Sequence, residues 1–117
     1  MALFSVLAFG KFVNGLKAVT MSEQWESHVA KVGGKVFALI NLDGTHMAFK
    51  VSELSFEGLT ALDGIGQAPY FAKRQWVSVQ KGTPLTDAEL KGYIAASYAM
   101  VAAKLTKKLR TELGLPV

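Results

Sequence analysis

Hydrophobic and polar positions alternate in the middle of the chain with the period of a β-strand. In the segment 45–51, Met47, Phe49 and Val51 fall on one face, and polar or small residues fall on the other. The segment 35–41 is apolar at both parities. This pattern is typical of a strand in the centre of a sheet.

Turn residues separate these segments and predict antiparallel hairpins. Gly33–Gly34 follows a strand predicted at roughly 28–32, and Asp43–Gly44 follows the central strand. Such dipeptides adopt the positive φ angles that tight hairpins need. A further strand is predicted over 71–80. The sheet is therefore expected to be mainly antiparallel.

Apolar residues at helical spacing predict three helices around these strands. The first covers 2–17, and a short second helix covers 55–63 with Ser55 as its cap. Thr86 and Glu89 form a capping box for the last helix, whose apolar side chains recur on one face. Those side chains are Leu90, Ile94, Ser97, Val101 and Leu105. Gly114 and Pro116 end the helical structure.

The order of elements predicts an α+β domain with two layers. It is α-β-β-β-α-β-α over residues 1–117, with the helices packed on one face of the sheet. Six residues are predicted to be buried in the core: Phe37, Leu39, Phe49, Val77, Ile94 and Val101.

The other face of the sheet is expected to be open and basic. If Val77 points at the helices, Arg74 and Trp76 point away from them, on the same side as Lys50. Aromatic rings beside cations can stack on nucleic-acid bases and contact phosphates. The alternative is that Trp76 packs under a loop as a structural residue.

Net charge changes this picture only mildly. The chain has 13 basic and 9 acidic residues, a net charge of +4. This excess permits nucleic acid, an anionic membrane or an acidic protein as a partner. A second basic cluster, Lys104, Lys107, Lys108 and Arg110, contains no acidic residue. It could contact phosphates, or it could be a solvated helix end.

Composition and motifs argue against catalysis and against a bound metal. The chain has no cysteine, and its imidazoles are His28 and His46 alone. No zinc-binding spacing, phosphate-binding glycine loop or catalytic triad pattern is present. We therefore expect no enzymatic activity, no cofactor and no metal site.

The apolar N-terminus is expected to pack on the core. It is too short to span a bilayer, and its first lysine follows the apolar run instead of preceding it. We expect a cytoplasmic protein without a membrane role, either a monomer or a weak homodimer.

Three stretches resemble the MmcQ/YjbR family of small bacterial proteins: KVGGKVFALI, APYFAKRQW and LTDAELKGYIAASYAMVAAKLTKKLR. The resemblance covers the chain from about residue 12. It implies an α/β fold of the frataxin or secretion-chaperone type, and members are commonly labelled DNA-binding. Iron binding is not implied, because iron sites on that fold use an acidic first helix and residues 1–20 contain no Asp or Glu.

The chain departs from the family pattern at two places. Many members carry histidine and asparagine ahead of the tryptophan, where Phe71, Ala72 and Gln75 stand here. A polar site built on those side chains is therefore absent or different. Members often have proline before the final KKLR, where Thr106 stands here, so the last helix is expected to continue without a break.

Two functions are compatible with these observations. The first is a DNA- or polyanion-binding module that uses a basic, Trp-containing open sheet face. Its predicted contacts are Lys50, Lys73, Arg74, Trp76, Lys107, Lys108 and Arg110. The second is a small protein-binding adaptor that uses the open sheet face or the apolar first helix.

Overall fold

The structure is a computed structural model and describes residues 2–116. Within this range the chain forms four helices and six strands. In chain order they are α1 (Val6–Asn14), β1 (Val19–Gln24), β2 (Ser27–Val32), β3 (Lys35–Asn41), β4 (His46–Lys50), α2 (Glu53–Thr60), β5 (Ile65–Gln67), β6 (Trp76–Gln80), α3 (Asp87–Ala103) and α4 (Lys107–Leu113).

The strands form one antiparallel sheet in the order β1-β2-β3-β4-β6-β5. Buried residues from α1, α2 and α3 pack with one face of this sheet in a single main core. The predicted α+β class and the position of the helices are confirmed, and the seven predicted elements occur in the predicted order. The predicted domain, 1–117, also includes residues 1 and 117, which lie outside the described residues.

The predicted hairpin turns and strand faces are confirmed. Gly33 and Gly34 have φ angles of 58° and 78° between β2 and β3. Phe49 and Val77 pair across β4 and β6, and both lie in the main core. All six predicted core residues are buried, although Leu39 belongs to a second, smaller cluster on the other face.

A side chain from α3 makes hydrogen bonds to the backbone at a β-bulge in β3. Ala30 pairs with Ala38 and the next residue of β2 pairs with Val36, so Phe37 has no partner across the strands. The buried Ser97 hydroxyl donates a hydrogen bond to the Phe37 carbonyl at 2.6 Å. The same oxygen accepts the backbone N–H of Lys50 at 2.9 Å. Ser97 thus joins α3 to two strands and leaves neither backbone group unpaired.

The first two helices are shorter than predicted or shifted. The expected helix over 2–17 is confined to α1, because the Ser5 side chain caps it at Ala8 N–H. The helix expected over 55–63 begins at Glu53, and its cap is Ser52 instead of Ser55. In both cases a serine supplies the oxygen that the first turn requires, later in the chain than the predicted start for α1 and earlier for α2.

The last helix is interrupted, so the expectation of an unbroken helix is wrong. α3 ends at Ala103 with Lys104 as its C-cap, and Thr106 has an extended backbone. The Thr106 side chain accepts the N–H of Leu109 at 3.1 Å and starts α4 as a new helix. Gly114 ends α4 in the left-handed conformation, as the glycine predicted.

Candidate functional site

The sheet face away from the helices carries its own apolar cluster. The buried members come from β2, β3, β4 and β6 and from the segment before β6: Val29, Leu39, Ala48, Ala68 and Trp76. Trp76 lies on the predicted face, but only 7% of it is exposed. Its ring stacks on Phe71, with the ring centroids 4.1 Å apart. Trp76 is thus covered by a loop, as the alternative hypothesis expected.

The covering segment, 68–75, is a loop and not part of a strand. The predicted strand over 71–80 begins only at Trp76. Tyr70 and Arg74 have φ angles of 68° and 63°, which strand geometry does not allow. The Gln67 amide holds the loop, since Nε2 donates to the Ala68 carbonyl at 2.8 Å and Oε1 accepts the Arg74 N–H at 2.9 Å.

Arg74 turns towards α2 and is paired there. Its Nε lies 2.9 Å from Glu53 Oε1, and its terminal nitrogen lies 2.6 Å from Glu57 Oε1. The guanidinium also lies over the Phe56 ring, 5.5 Å from its centroid. Hydrogen bonds to Glu53 and then to Glu57 raise the pKa of Arg74. Two carboxylates therefore compensate the cation that the sequence placed at the centre of a basic face.

A groove of about 500 Å³ lies on the outer face beside this loop. Its lining side chains are Trp25, Ser27, Leu39, His46, Ala48, Ala68, Pro69, Tyr70, Phe71 and Ser78. Trp25 and Phe71 meet edge to face with their centroids 6.4 Å apart. Trp25 is 64% exposed and Tyr70 is fully exposed. The groove thus has an apolar floor, aromatic walls and a few polar side chains, and we call it the aromatic groove.

A cleft of about 360 Å³ lies at the other side of Trp76, where the outer face meets the end of α3. It is lined by Lys35, Val36, Lys50, Trp76, Val101, Lys104 and Leu105. We call it the lysine cleft. Burial lowers the pKa of Lys50, and the neighbouring positive charge of Lys104 lowers it further. Within residues 2–116, no carboxylate lies within 4.0 Å of either ammonium.

The other predicted contacts are dispersed. Lys73 is exposed on the loop, and Lys107 and Lys108 are exposed on α4. Arg110 lines a different cavity, formed with Tyr98 and its neighbours on α3. Its Nε is buried and has no hydrogen-bond partner in the part of the chain that the structure describes. Of the seven predicted contacts, the lysine cleft contains Lys50 and Trp76.

Sequence reasoning missed four lining residues for identifiable reasons. Trp25 lies in the turn between β1 and β2, and this turn contains no glycine to signal it. Phe71 was assigned to the strand predicted over 71–80 instead of a loop, and Tyr70 lies just before that range. Lys35 follows the Gly33–Gly34 turn, and the sequence indicated only a hairpin there. Lys104 caps α3, and the break that follows it also carries no glycine or proline signal.

The described residues offer no cluster of metal ligands. No three His, Asp or Glu side chains between residues 2 and 116 come close enough to hold an ion. No helix in the same range is both long and apolar enough to cross a membrane.

Two solved structures have the same fold. Protein DR2400 of Deinococcus radiodurans, described as a DUF419 domain, is 26% identical with a TM-score of 0.85, over 96% of this chain and 89% of that one. A protein from Pseudomonas syringae is 18% identical with a TM-score of 0.67, over 81% of this chain and 97% of that one. No curated protein matches the chain.

The family resemblance noted in the sequence is confirmed independently of the fold. The family model described as YjbR matches residues 14–100, from the end of α1 to the last turn of α3. This segment includes every residue of the aromatic groove. Because it covers more than half of the protein, the chain belongs to the YjbR family.

Proposed function

We propose that this protein is a non-enzymatic module that binds the phosphate backbone of nucleic acid in the lysine cleft. The observation that carries the proposal is that Lys50 and Lys104 line one cleft with Lys35, with no carboxylate within 4.0 Å of the pair among residues 2–116. A phosphate between the two ammoniums would replace repulsion by charge-assisted hydrogen bonds.

This proposal changes the set of contacts expected from the sequence. Lys35, Lys50 and Lys104 form the binding site, and Lys107 and Lys108 are exposed cations on α4 outside the lining of the cleft. Arg74 and Arg110 are left out, since the first is paired with two glutamates and the second packs against α3. The DNA-binding function that the family resemblance implies requires the same chemistry. We expect the protein to act in the cytoplasm.

The test is a salt titration of fluorescence anisotropy with a labelled single-stranded oligonucleotide. Three phosphate contacts predict a slope near −2.1 in log K against log salt, at roughly 0.7 per contact on single strands. Affinity at physiological salt should be weak, with Kd about 10⁻⁴–10⁻⁶ M. Lys50→Met and Lys104→Met should each flatten the slope by about 0.7, because each removes one contact.

The matched controls remove the same charge elsewhere. Lys81 follows the end of β6 that is opposite Trp76, so Lys81→Met removes a charge away from the cleft. Arg74→Met removes a cation that is already paired. Both variants should keep the wild-type slope. Equal flattening by Lys81→Met, or no binding by the wild type at low salt, would contradict the proposal.

A protein-binding adaptor is the second candidate. The exposed rings of Trp25 and Tyr70 favour it, because aromatic side chains dominate the energetics of protein interfaces. If the wild type fails to bind any oligonucleotide at low salt, the adaptor becomes the better proposal.

A further inference from the structure

Two aromatic rings at the aromatic groove are exposed to solvent. Tyr70 is fully exposed and Trp25 is 64% exposed, although burial of an aromatic side chain would be favourable. Both rings stand beside the apolar floor of the groove without closing over it. Exposed aromatic side chains around an apolar depression are typical of binding sites.

Backbone strain occurs at the residues that present these rings. Trp25 and Glu26 have φ angles of 53° and 57°, and Tyr70 has a φ angle of 68°. Glycine or asparagine is the ordinary choice for such turns, and a bulky residue with positive φ is an outlier. Strained residues that persist at the rim of a groove are a reason to suspect function there.

Two stacked aromatic side chains lie between the aromatic groove and the lysine cleft. Phe71 lines the groove, Trp76 lines the lysine cleft, and their rings stack with centroids 4.1 Å apart. A ligand that occupies both sites therefore needs an anionic group for the lysines and a planar or apolar group for the groove. A nucleotide unit has this composition.

Polar side chains in the groove can also form hydrogen bonds to the edge of a ligand ring. Ser78 and His46 present a hydroxyl and an imidazole from β6 and β4. The Ser27 hydroxyl donates to the Trp25 carbonyl at 3.3 Å, so its oxygen remains able to accept a hydrogen bond from a ligand. The residues that line the groove include no carboxylate.

We propose that the aromatic groove binds an unpaired base of a single-stranded nucleic acid whose phosphate occupies the lysine cleft. This inference rests on the proposed function and adds the form of nucleic acid that is bound. A base must be unpaired and turned out of its stack to enter a groove on a protein surface. Aromatic side chains on an open sheet face hold such bases by stacking, with little dependence on sequence.

The test compares a short deoxythymidine oligomer with an abasic phosphodiester of the same length. The oligomer should bind about 5- to 150-fold more tightly, the gain expected from one base stack. Trp25→Ala and Tyr70→Ala should each remove part of that gain and leave the salt slope unchanged, because stacking releases no counterions. Trp25→Phe should restore part of it, because phenylalanine also offers a face for stacking.

Leu54→Ala is the matched control, since Leu54 is an exposed apolar residue on α2 outside the groove. It should bind both oligomers as the wild type does. Circular dichroism melts of every variant would show that a loss of affinity is not a loss of folding. Oligomer binding should also quench the fluorescence of exposed Trp25, and Trp25→Ala should abolish most of that change.

The outcomes separate this inference from the proposed function. Equal binding of the abasic and base-bearing oligomers with the expected salt slope would overturn the base site and leave the lysine cleft intact. A duplex that binds as tightly as the single strand would also overturn the base site and leave the lysine cleft intact. Thymidine monophosphate that binds as tightly as the oligomer would overturn the single-strand assignment. If neither oligomer binds at low salt, the proposed function fails as well.

Discussion

At the scale of single residues, the charge of Lys50 is unfavourable for folding but is needed for the proposed binding. Its ammonium is partly buried beside that of Lys104, and its pKa is lowered by burial first and by Lys104 second. The folded state therefore holds the Lys50 proton less tightly than the unfolded state. Stability consequently rises with pH as Lys50 loses its proton, up to the ordinary lysine pKa of about 10.4.

Lys50→Met should therefore stabilise the free protein at neutral pH. Methionine keeps an unbranched stem of similar length and removes the repelled charge. We expect a gain of about 0.2–1 kcal/mol in the free energy of unfolding at low salt, the usual scale of partly exposed charge pairs. Urea melts of the wild type and the variant at several pH values would measure it.

The difference between these two proteins has a defined pH dependence. It should be largest below the pKa of folded Lys50 and should shrink towards pH 10.4, because wild-type Lys50 then becomes neutral. Added salt should also reduce it. A variant that is less stable than the wild type at pH 7 would show that the two ammoniums do not repel each other significantly.

At the scale of elements, the β2–β3 turn is in contact with the junction of α3 and α4. A Cβ added to Gly33 would lie 2.6 Å from Leu105 Cδ1 and 3.2 Å from Leu109 Cδ2. A Cβ on Gly34 would meet nothing within 4 Å. The two glycines share positive φ angles, so they differ mainly in this contact.

Gly33→Ala should therefore destabilise the protein more than Gly34→Ala does. Alanine with positive φ costs about 1–2 kcal/mol at either site. At Gly33, overpacking against Leu105 should add about 1–3 kcal/mol. Chemical denaturation of both variants would give the difference directly. Equal losses would mean that Leu105 moves aside without cost.

The same elements show which features could be predicted from the sequence. The β2–β3 hairpin has a Gly–Gly turn and α3 has a capping box, and both were predicted correctly. The β1–β2 hairpin was missed because Trp25 and Glu26 adopt positive φ angles without being glycine. β5 has only three residues, which is too short for an alternating pattern to be recognised. The break before α4 depends on a single threonine cap.

At the scale of the whole molecule, the sheet has two unequal apolar faces. The main core includes residues of helices and strands, whereas the outer cluster has five buried members. Strand parity predicted the two faces of β4 and β6, but in β3 the bulge at Phe37 puts Phe37 and Leu39 on opposite faces. The candidate site was predicted less well, because loop 68–75 and the turn at Trp25 bring its residues together.

Phe49→Ala tests the main core. Phe49 is fully buried there and stacks on Tyr93, with centroids 6.1 Å apart. We expect a loss of about 3–5 kcal/mol in the free energy of unfolding, from lost burial and the cavity left behind. Leu54→Ala should change stability by no more than about 0.5 kcal/mol, because Leu54 is exposed. A loss below about 1 kcal/mol for Phe49→Ala in denaturant melts would contradict this assignment of the core.

The sheet order has a consequence for how the chain assembles during synthesis. β1 to β4 pair in chain order across short turns, so each hairpin closes a small loop. β6 pairs with β4 only after α2, β5 and loop 68–75 have been made. Trp25 belongs to the early part, and Tyr70 and Phe71 belong to the late part. On a ribosome, which releases the N-terminal strands first, the aromatic groove is therefore absent from the nascent meander and arises only when β6 docks.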